Sequence, residues 1–145
     1  MIKQVLYLCT GNYYRSRFAE ILFNYLAEQR GLAWRADSRG LARKFGPWNI
    51  GLMSPFTVNA IISRQIPCPE PLRQAMHCYE ADLKSADLIV ALKEAEHRPL
   101  LTEHFPGWEE RVEYWHVHDL DGATPDHALG EIESLVKQLI ERIAR

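Results

Sequence analysis

Cysteine is scarce in this chain, and the three present, Cys9, Cys68 and Cys78, are an odd set that cannot all pair. Their spacings match no zinc pattern, so neither a disulfide framework nor a structural zinc site is expected. An odd thiol count with no signal peptide points to the reducing cytoplasm, where a thiol can be kept for chemistry. Long apolar runs are lacking too. The run Val5 to Leu8 is too short for a signal-peptide core, and no stretch approaches the ~18 apolar residues of a membrane span. Charge of one sign is not in excess: a net charge of −2 and a pI near 6.3 exclude a general pull toward nucleic acid or anionic lipid. Internal repeats, low-complexity segments and linker-like stretches are absent, which argues against an array or a string of modules.

What is there is an ordinary globular composition, 47% apolar and 25% charged over 145 residues, and one domain spanning 1–145 is expected. Ile2 to Leu8 is a short apolar run suited to a buried strand. Ser16 to Arg30 carries Phe18, Ile21, Leu22, Tyr25 and Leu26 at helical spacing, with Gly31 as C-cap. Leu32 to Asp37 reads as a second strand, the glycines and prolines of 39–55 as a long loop, and Phe56 to Arg64 as a helix. Pro67, Pro69 and Pro71 keep the next segment from forming a regular element. Asp87 to Leu92 is a continuous apolar strand of the kind covered on both faces. Lys93 to Thr102 reads as a helix in which Pro99 marks a start or a bend. Val112 to Val117 supplies a fourth strand, and Asp126 to Arg145 an amphipathic helix. Strands alternating with helices imply an α/β fold: a four-stranded parallel sheet with helices on both faces. Ligands in such sheets collect at the carboxyl ends of the strands, so the loop after the first strand is the first place to look for chemistry.

That loop reads Cys9-Thr10-Gly11-Asn12-Tyr13-Tyr14-Arg15-Ser16 and runs directly into a helix. Backbone N–H groups turned inward around Gly11, which permits unusual dihedrals, together with a helix N-terminus, make a cradle for a tetrahedral anion. Arg15 supplies a planar fork that matches two phosphoryl oxygens. Cationic surroundings of this kind lower a thiol from about 8.5 to roughly 3.5–7.5, which makes Cys9 a candidate nucleophile activated by its environment. Ser16 is the candidate donor to the sulfur. Thr10, Gly11, Asn12, Tyr13, Tyr14 and Ser16 are the candidate phosphate-binding residues. A cysteine after a strand is ordinarily a small core residue and an arginine ordinarily solvated; the joint pattern at a strand-to-helix junction is what argues for chemistry. The Gly-Lys-Ser/Thr ending of a Walker A loop is absent. Arg15, Arg17, Arg35, Arg39, Arg43 and Lys44 are candidates for a cationic mouth.

The segment Cys-X-Gly-Asn-X-X-Arg-Ser, continued by Phe18-Ala19-Glu20, resembles the signature of the low-molecular-weight protein tyrosine phosphatases. Asp37-Ser38 with Gly40 resembles the family's Ser-Ala-Gly segment, Trp48 to Gly51 its aromatic wall, and Ala86 to Val90 its third strand. The resemblance implies a cysteinyl-phosphate mechanism on phosphate monoesters, with phosphotyrosine as substrate and no cofactor. It also implies that Ser38 joins Asn12 in bracing the loop. The family's general acid is an Asp after the fourth strand, usually followed by Pro; Asp119 fits by its distance from Trp115, with Leu120 in place of Pro and Asp121 as a competitor. Tyr14 stands where many members carry a second cysteine, and Arg17 where a Pro is usual. Tyr13, Tyr14 or Trp48 either wall the substrate pocket by stacking or simply pack.

Other readings stay open. Arsenate reductases of this fold carry a cysteine just after the third strand, where this chain has Leu92-Lys93-Glu94. Arginine phosphatases that share the signature favour a small Thr where Tyr13 stands. A binding module without catalysis is a further alternative. His116, His118 and His127 have no third ligand at convincing spacing, so no metal is expected. The expected partner is a phosphorylated protein or small aryl phosphate, met by a monomer.

Overall fold

The computed structural model describes residues 1–120 and 122–145. Four parallel strands, β1 (Lys3–Cys9), β2 (Trp34–Gly40), β3 (Leu88–Ala91) and β4 (Glu113–Tyr114), form one sheet in the order β2-β1-β3-β4. The helices among the described residues are α1 (Arg15–Gln29), α2 (Pro55–Ser63), α3 (Glu80–Ser85), α4 (Glu94–His104) and α5 (Pro125–Ile143). β1 is central and apolar because both of its faces are covered. Val5 and Tyr7 pack with α1, α2 and α5, whereas Leu6 and Leu8 pack with Leu83 of α3 and Leu101 of α4. The chain leaves β1 toward β2 on one side and later returns to β3 on the other, so the switch point lies at the carboxyl end of β1. Cys9 is the last residue of that strand, level with Gly40 at the end of β2.

Several expected boundaries move, each for a local reason. Leu32 does not open the second strand. Its amide closes α1 onto the Ala27 carbonyl while Gly31, at φ 63, bonds to Glu28, a capping arrangement that delays β2 to Trp34. β2 then runs on to Gly40, where a Cβ would lie 2.8 Å from the Thr10 carbonyl oxygen and 2.7 Å from the Phe45 ring. β4 is shorter than 112–117. Its continuation leaves the ladder, although Trp115 and Val117 still donate to Ala91 and Leu92. α4 runs through Pro99 to His104, and α3, with Leu83 as its one buried residue, carries too little periodicity to be read from sequence.

Candidate active site

The loop from Cys9 to Tyr14 joins β1 to α1, whose first residue is Arg15. Among the described residues, the amide N–H groups of Gly11 through Ser16 donate to no backbone carbonyl or side chain. Uncommitted amides at a helix N-terminus are the elements of an anion site. The left-handed backbone that turns this loop falls on Asn12, at φ 48, not on Gly11 as expected. Asparagine tolerates that region better than most side chains, and here its amide is fully used. Asn12 Nδ2 donates to Ser16 Oγ at 2.9 Å and to Ser38 Oγ at 2.8 Å, and Oδ1 accepts from Arg73 Nη1 at 3.0 Å and the Met76 amide at 2.9 Å. Gly11 serves a close approach instead, with the Asn49 amide group 2.9 Å from its carbonyl.

Cys9 is buried, and its sulfur lies 2.8 Å from Ser16 Oγ. Because that oxygen accepts from Asn12, the Ser16 hydrogen is free to donate to the sulfur. Ser38 accepts from Asn12 and from Arg73 and donates to Glu20 at 2.6 Å. Arg73 also reaches Glu20, Asp37 and the Ser38 carbonyl. Burial dominates and raises the Glu20 pKa above the ordinary carboxylate value, against the opposing pull of Arg73 and the Ser38 hydroxyl.

Arg15 is buried to 2% exposure. Its Nη1 donates to the Val117 carbonyl at 3.0 Å, and Nη2 to Glu96 at 2.7 Å and Asp119 at 3.3 Å. Burial acts against the guanidinium charge, but Cys9, Glu96 and Asp119 outweigh it and raise the Arg15 pKa. Asp119 Oδ1 accepts the Leu120 amide at 2.8 Å, a bond that a proline at 120 would forbid. Asp121, the competing acid, lies outside the described residues.

Cys9, Arg15 and Asp119 open together into a cavity of about 650 Å³. Its walls are mostly aromatic and apolar: Tyr13, Tyr14, Phe45, Trp48, Ile50, Phe56 and Leu120. The expected wall residues Tyr13, Tyr14 and Trp48 all line it; Trp48 is largely exposed, whereas Tyr14 is mostly buried and packs edge-on against Phe56, with ring centroids 6.2 Å apart. Burial and then Asp119 push the Tyr14 phenol up to about 12. Thr10 lines the cavity, but its hydroxyl is committed to Glu96. Arg17 does not reach the mouth: it is buried and donates to the Leu52 and Arg73 carbonyls. Arg39 is paired with Asp37 and Asp82, and Arg43 bonds to His104, so Lys44 is the cation from that group that joins Arg15 in the lining. His116 and His118 are exposed, and no three potential metal ligands cluster among the described residues.

Arg73, Glu96 and His97 are contacts of the loop absent from the sequence-based expectations, and Asn49, within the expected wall segment, contacts it unforeseen. Only Glu96 and His97 carried a signal, since they open the helix after β3 at the carboxyl edge of the sheet.

The family model for low molecular weight phosphotyrosine protein phosphatases matches residues 4–145. The chain is 27% identical over 156 aligned positions to a protein-arginine-phosphatase of Bacillus subtilis (strain 168), covering 97% of each. It resembles the crystal structure of a low molecular weight protein tyrosine phosphatase from T. tengcongensis, at TM-score 0.80 and 26% identity, over 97% of this chain and 99% of that one. It also resembles YfkJ from Bacillus subtilis, at TM-score 0.82 and 26% identity, over 99% and 96% of the two chains. With fold, loop and family model in agreement over nearly its whole length, the chain belongs to the low molecular weight phosphotyrosine protein phosphatase family and is a phosphatase of that family.

Proposed function

We propose that the protein hydrolyses aryl phosphate monoesters, phosphotyrosine in proteins above all, through a cysteinyl-phosphate intermediate. The observation that carries this reading is the convergence of Cys9, Arg15 and Asp119 on one aromatic-walled cavity beneath uncommitted loop amides. The Cys9 sulfur attacks phosphorus in line, forming the S–P bond as the P–O bond to the phenol breaks. Asp119 gives its proton to the departing oxygen. The loop amides and the Arg15 fork hold the equatorial oxygens, and this positioning and charge stabilisation supply most of the acceleration. Water then attacks phosphorus, Asp119 takes its proton, and the S–P bond breaks. The Ser16 hydroxyl stabilises the departing sulfur. Every residue invoked comes from one chain, so a monomer suffices, and a nucleophilic thiol suits the reducing cytoplasm.

A phosphoarginine substrate is the second reading, favoured by the protein-arginine-phosphatase relative. Against it stand the bulk of Tyr13 and the Lys44 cation at a cavity whose one acidic lining residue is Asp119, among the described residues. A thiol relay of the arsenate-reductase kind is disfavoured because Cys78 is buried in the core on the other face of the sheet and Cys68 does not line the cavity.

The test is turnover of p-nitrophenyl phosphate, a phosphotyrosine peptide and a phosphoarginine peptide. Cys9→Ser is expected to abolish all turnover while inorganic phosphate still binds; activity retained by that variant would refute the nucleophile. Asp119→Asn is expected to lower kcat by about 10²-fold, most for poor leaving groups. If Asp121→Asn shows that pattern instead, the acid is misassigned. A higher kcat/KM on the phosphoarginine peptide than on the phosphotyrosine peptide would overturn the substrate class.

A further inference from the structure

Arg15 is held at two separate edges. Nη1 donates to the Val117 carbonyl and Nη2 to Glu96, neither of which lines the cavity, and Nη2 also reaches Asp119 at a longer distance, which does. The 2.7 Å Glu96 contact is in the range of strong charge-assisted bonds. Glu96 is itself fixed from several sides. One oxygen, Oε2, accepts from the Thr10 hydroxyl and from Arg15, and lies 3.2 Å from His97 Nε2. The histidine's proton can be assigned. Its Nδ1 accepts the Lys93 amide at 3.0 Å, so the hydrogen sits on Nε2, directed at Glu96 and Thr10. His97 is fully buried, and burial, reinforced by Arg15, keeps its pKa below that of an ordinary imidazole. The third residue of α4 is also where a helix N-terminus favours a carboxylate. Partial burial raises the Glu96 pKa, but bonds from His97, Arg15 and Thr10 and the Arg15 charge outweigh it and hold it far below the usual carboxylate range.

We infer that Glu96, supported by Thr10 and His97, is a positioning residue that clamps the outer edge of the Arg15 guanidinium, leaving its inner edge to the phosphoryl oxygens. The inference rests on the proposed role of Arg15 and adds a residue to it. A free arginine side chain is a flexible four-bond stem, and a fork that must meet two oxygens in the transition state loses its advantage when it rotates. Val117 alone supplies one anchor, about which the fork can swing; Glu96 supplies the second. An ordinary surface ion pair, by contrast, contributes little and leaves catalysis unchanged on removal.

The experiment compares Glu96→Ala, Glu96→Gln and Glu96→Asp with the parent, using p-nitrophenyl phosphate turnover and NMR of [15N]arginine-labelled protein. Arg15→Lys identifies the Arg15 signals. Glu96→Ala and Glu96→Gln are expected to lower kcat about tenfold or more while KM changes by less than about threefold, with part of kcat restored in Glu96→Asp. In the parent the Arg15 Nη signals are expected to be separate and sharp, and in Glu96→Ala to merge as rotation becomes free. Backbone amide spectra distinguish this loss from misfolding. A kcat within about twofold of the parent in Glu96→Ala, or Arg15 signals unchanged in that variant, overturns the inference. If the parent turns over no phosphate ester, the proposed function fails, and the Arg15 signals alone decide the role of Glu96.

Discussion

Behind the loop from Cys9 to Tyr14, Asn12 is 0% exposed and uses all its amide bonding capacity on Ser16, Ser38, Arg73 and Met76. In front of it, Trp48 and Ile50 are 77% and 76% exposed, and Leu120 and Phe56 are about half exposed. One side is a closed polar network in which each group depends on its neighbours; the other is an apolar collar whose members are nearly independent. A closed network fixes atoms to within a bond length, as the proposed in-line displacement requires, whereas a collar of exposed apolar groups can adapt to the shape of a substrate. Damage behind the loop should therefore cost stability and kcat together, and damage in front should cost KM alone.

Arg73→Ala is the strongest way to break that contrast. It leaves Asn12 Oδ1, Ser38 and the mostly buried Glu20 without their cationic donor, a loss on the order of 3 kcal/mol in stability by analogy with broken buried pairs. kcat is expected to fall about 10²-fold as the loop loosens, and Arg73→Lys to recover only part, because an ammonium cannot reach several acceptors with a planar fork. Denaturant midpoints and steady-state rates check both. If kcat falls with stability unchanged, the network is not a structural unit.

His97 sharpens the contrast through pH. Its folded pKa is depressed, so the stability it contributes is present above the unfolded value of about 6.5 and is lost as pH falls below it, when only the unfolded chain binds the proton readily. Urea midpoints should therefore decline from pH 7 toward pH 5, with a slope of at most about 1.4 kcal/mol per pH unit from this group. His97→Asn should flatten that limb. An unchanged slope in the variant would separate His97 from the acid limb.

Trp48→Ala is expected to have the smallest effect, raising KM for a phosphotyrosine peptide about threefold with stability within about 0.5 kcal/mol of the parent. A fall in kcat or in melting temperature would mean that the collar is part of the rigid half after all.

Cys9, Asn12, Arg15 and Ser16 were legible because they are close in sequence and their spacing is imposed by one turn from strand to helix. Ser38 and Asp119 came from the resemblance, and the structure brings both to the loop, Ser38 2.8 Å from Asn12 Nδ2 and Asp119 3.3 Å from Arg15 Nη2. Arg17 departs from its expected place at the mouth because side-chain direction on the first turn of α1 depends on what packs there, and the carbonyls of Leu52 and Arg73 draw the guanidinium inward. Arg73 had no local mark, and Glu96 had only its place at the start of the helix after β3: they lie 61 residues from Asn12 and 81 from Arg15, respectively, and an arginine or glutamate with helix or loop neighbours reads as surface charge.

The sequence by itself determined the alternation of strands and helices, the buried character of β1 and β3 and the Cys9-to-Arg15 loop, because each depends on periodicity or spacing along a few consecutive residues. Only the tertiary structure decided which distant side chains support that loop, that Asn12 rather than Gly11 takes the left-handed turn, and which arginines face the cavity. Those outcomes depend on hydrogen-bond satisfaction across elements far apart in the chain, and a partner is chosen only once the sheet has brought its strand ends together.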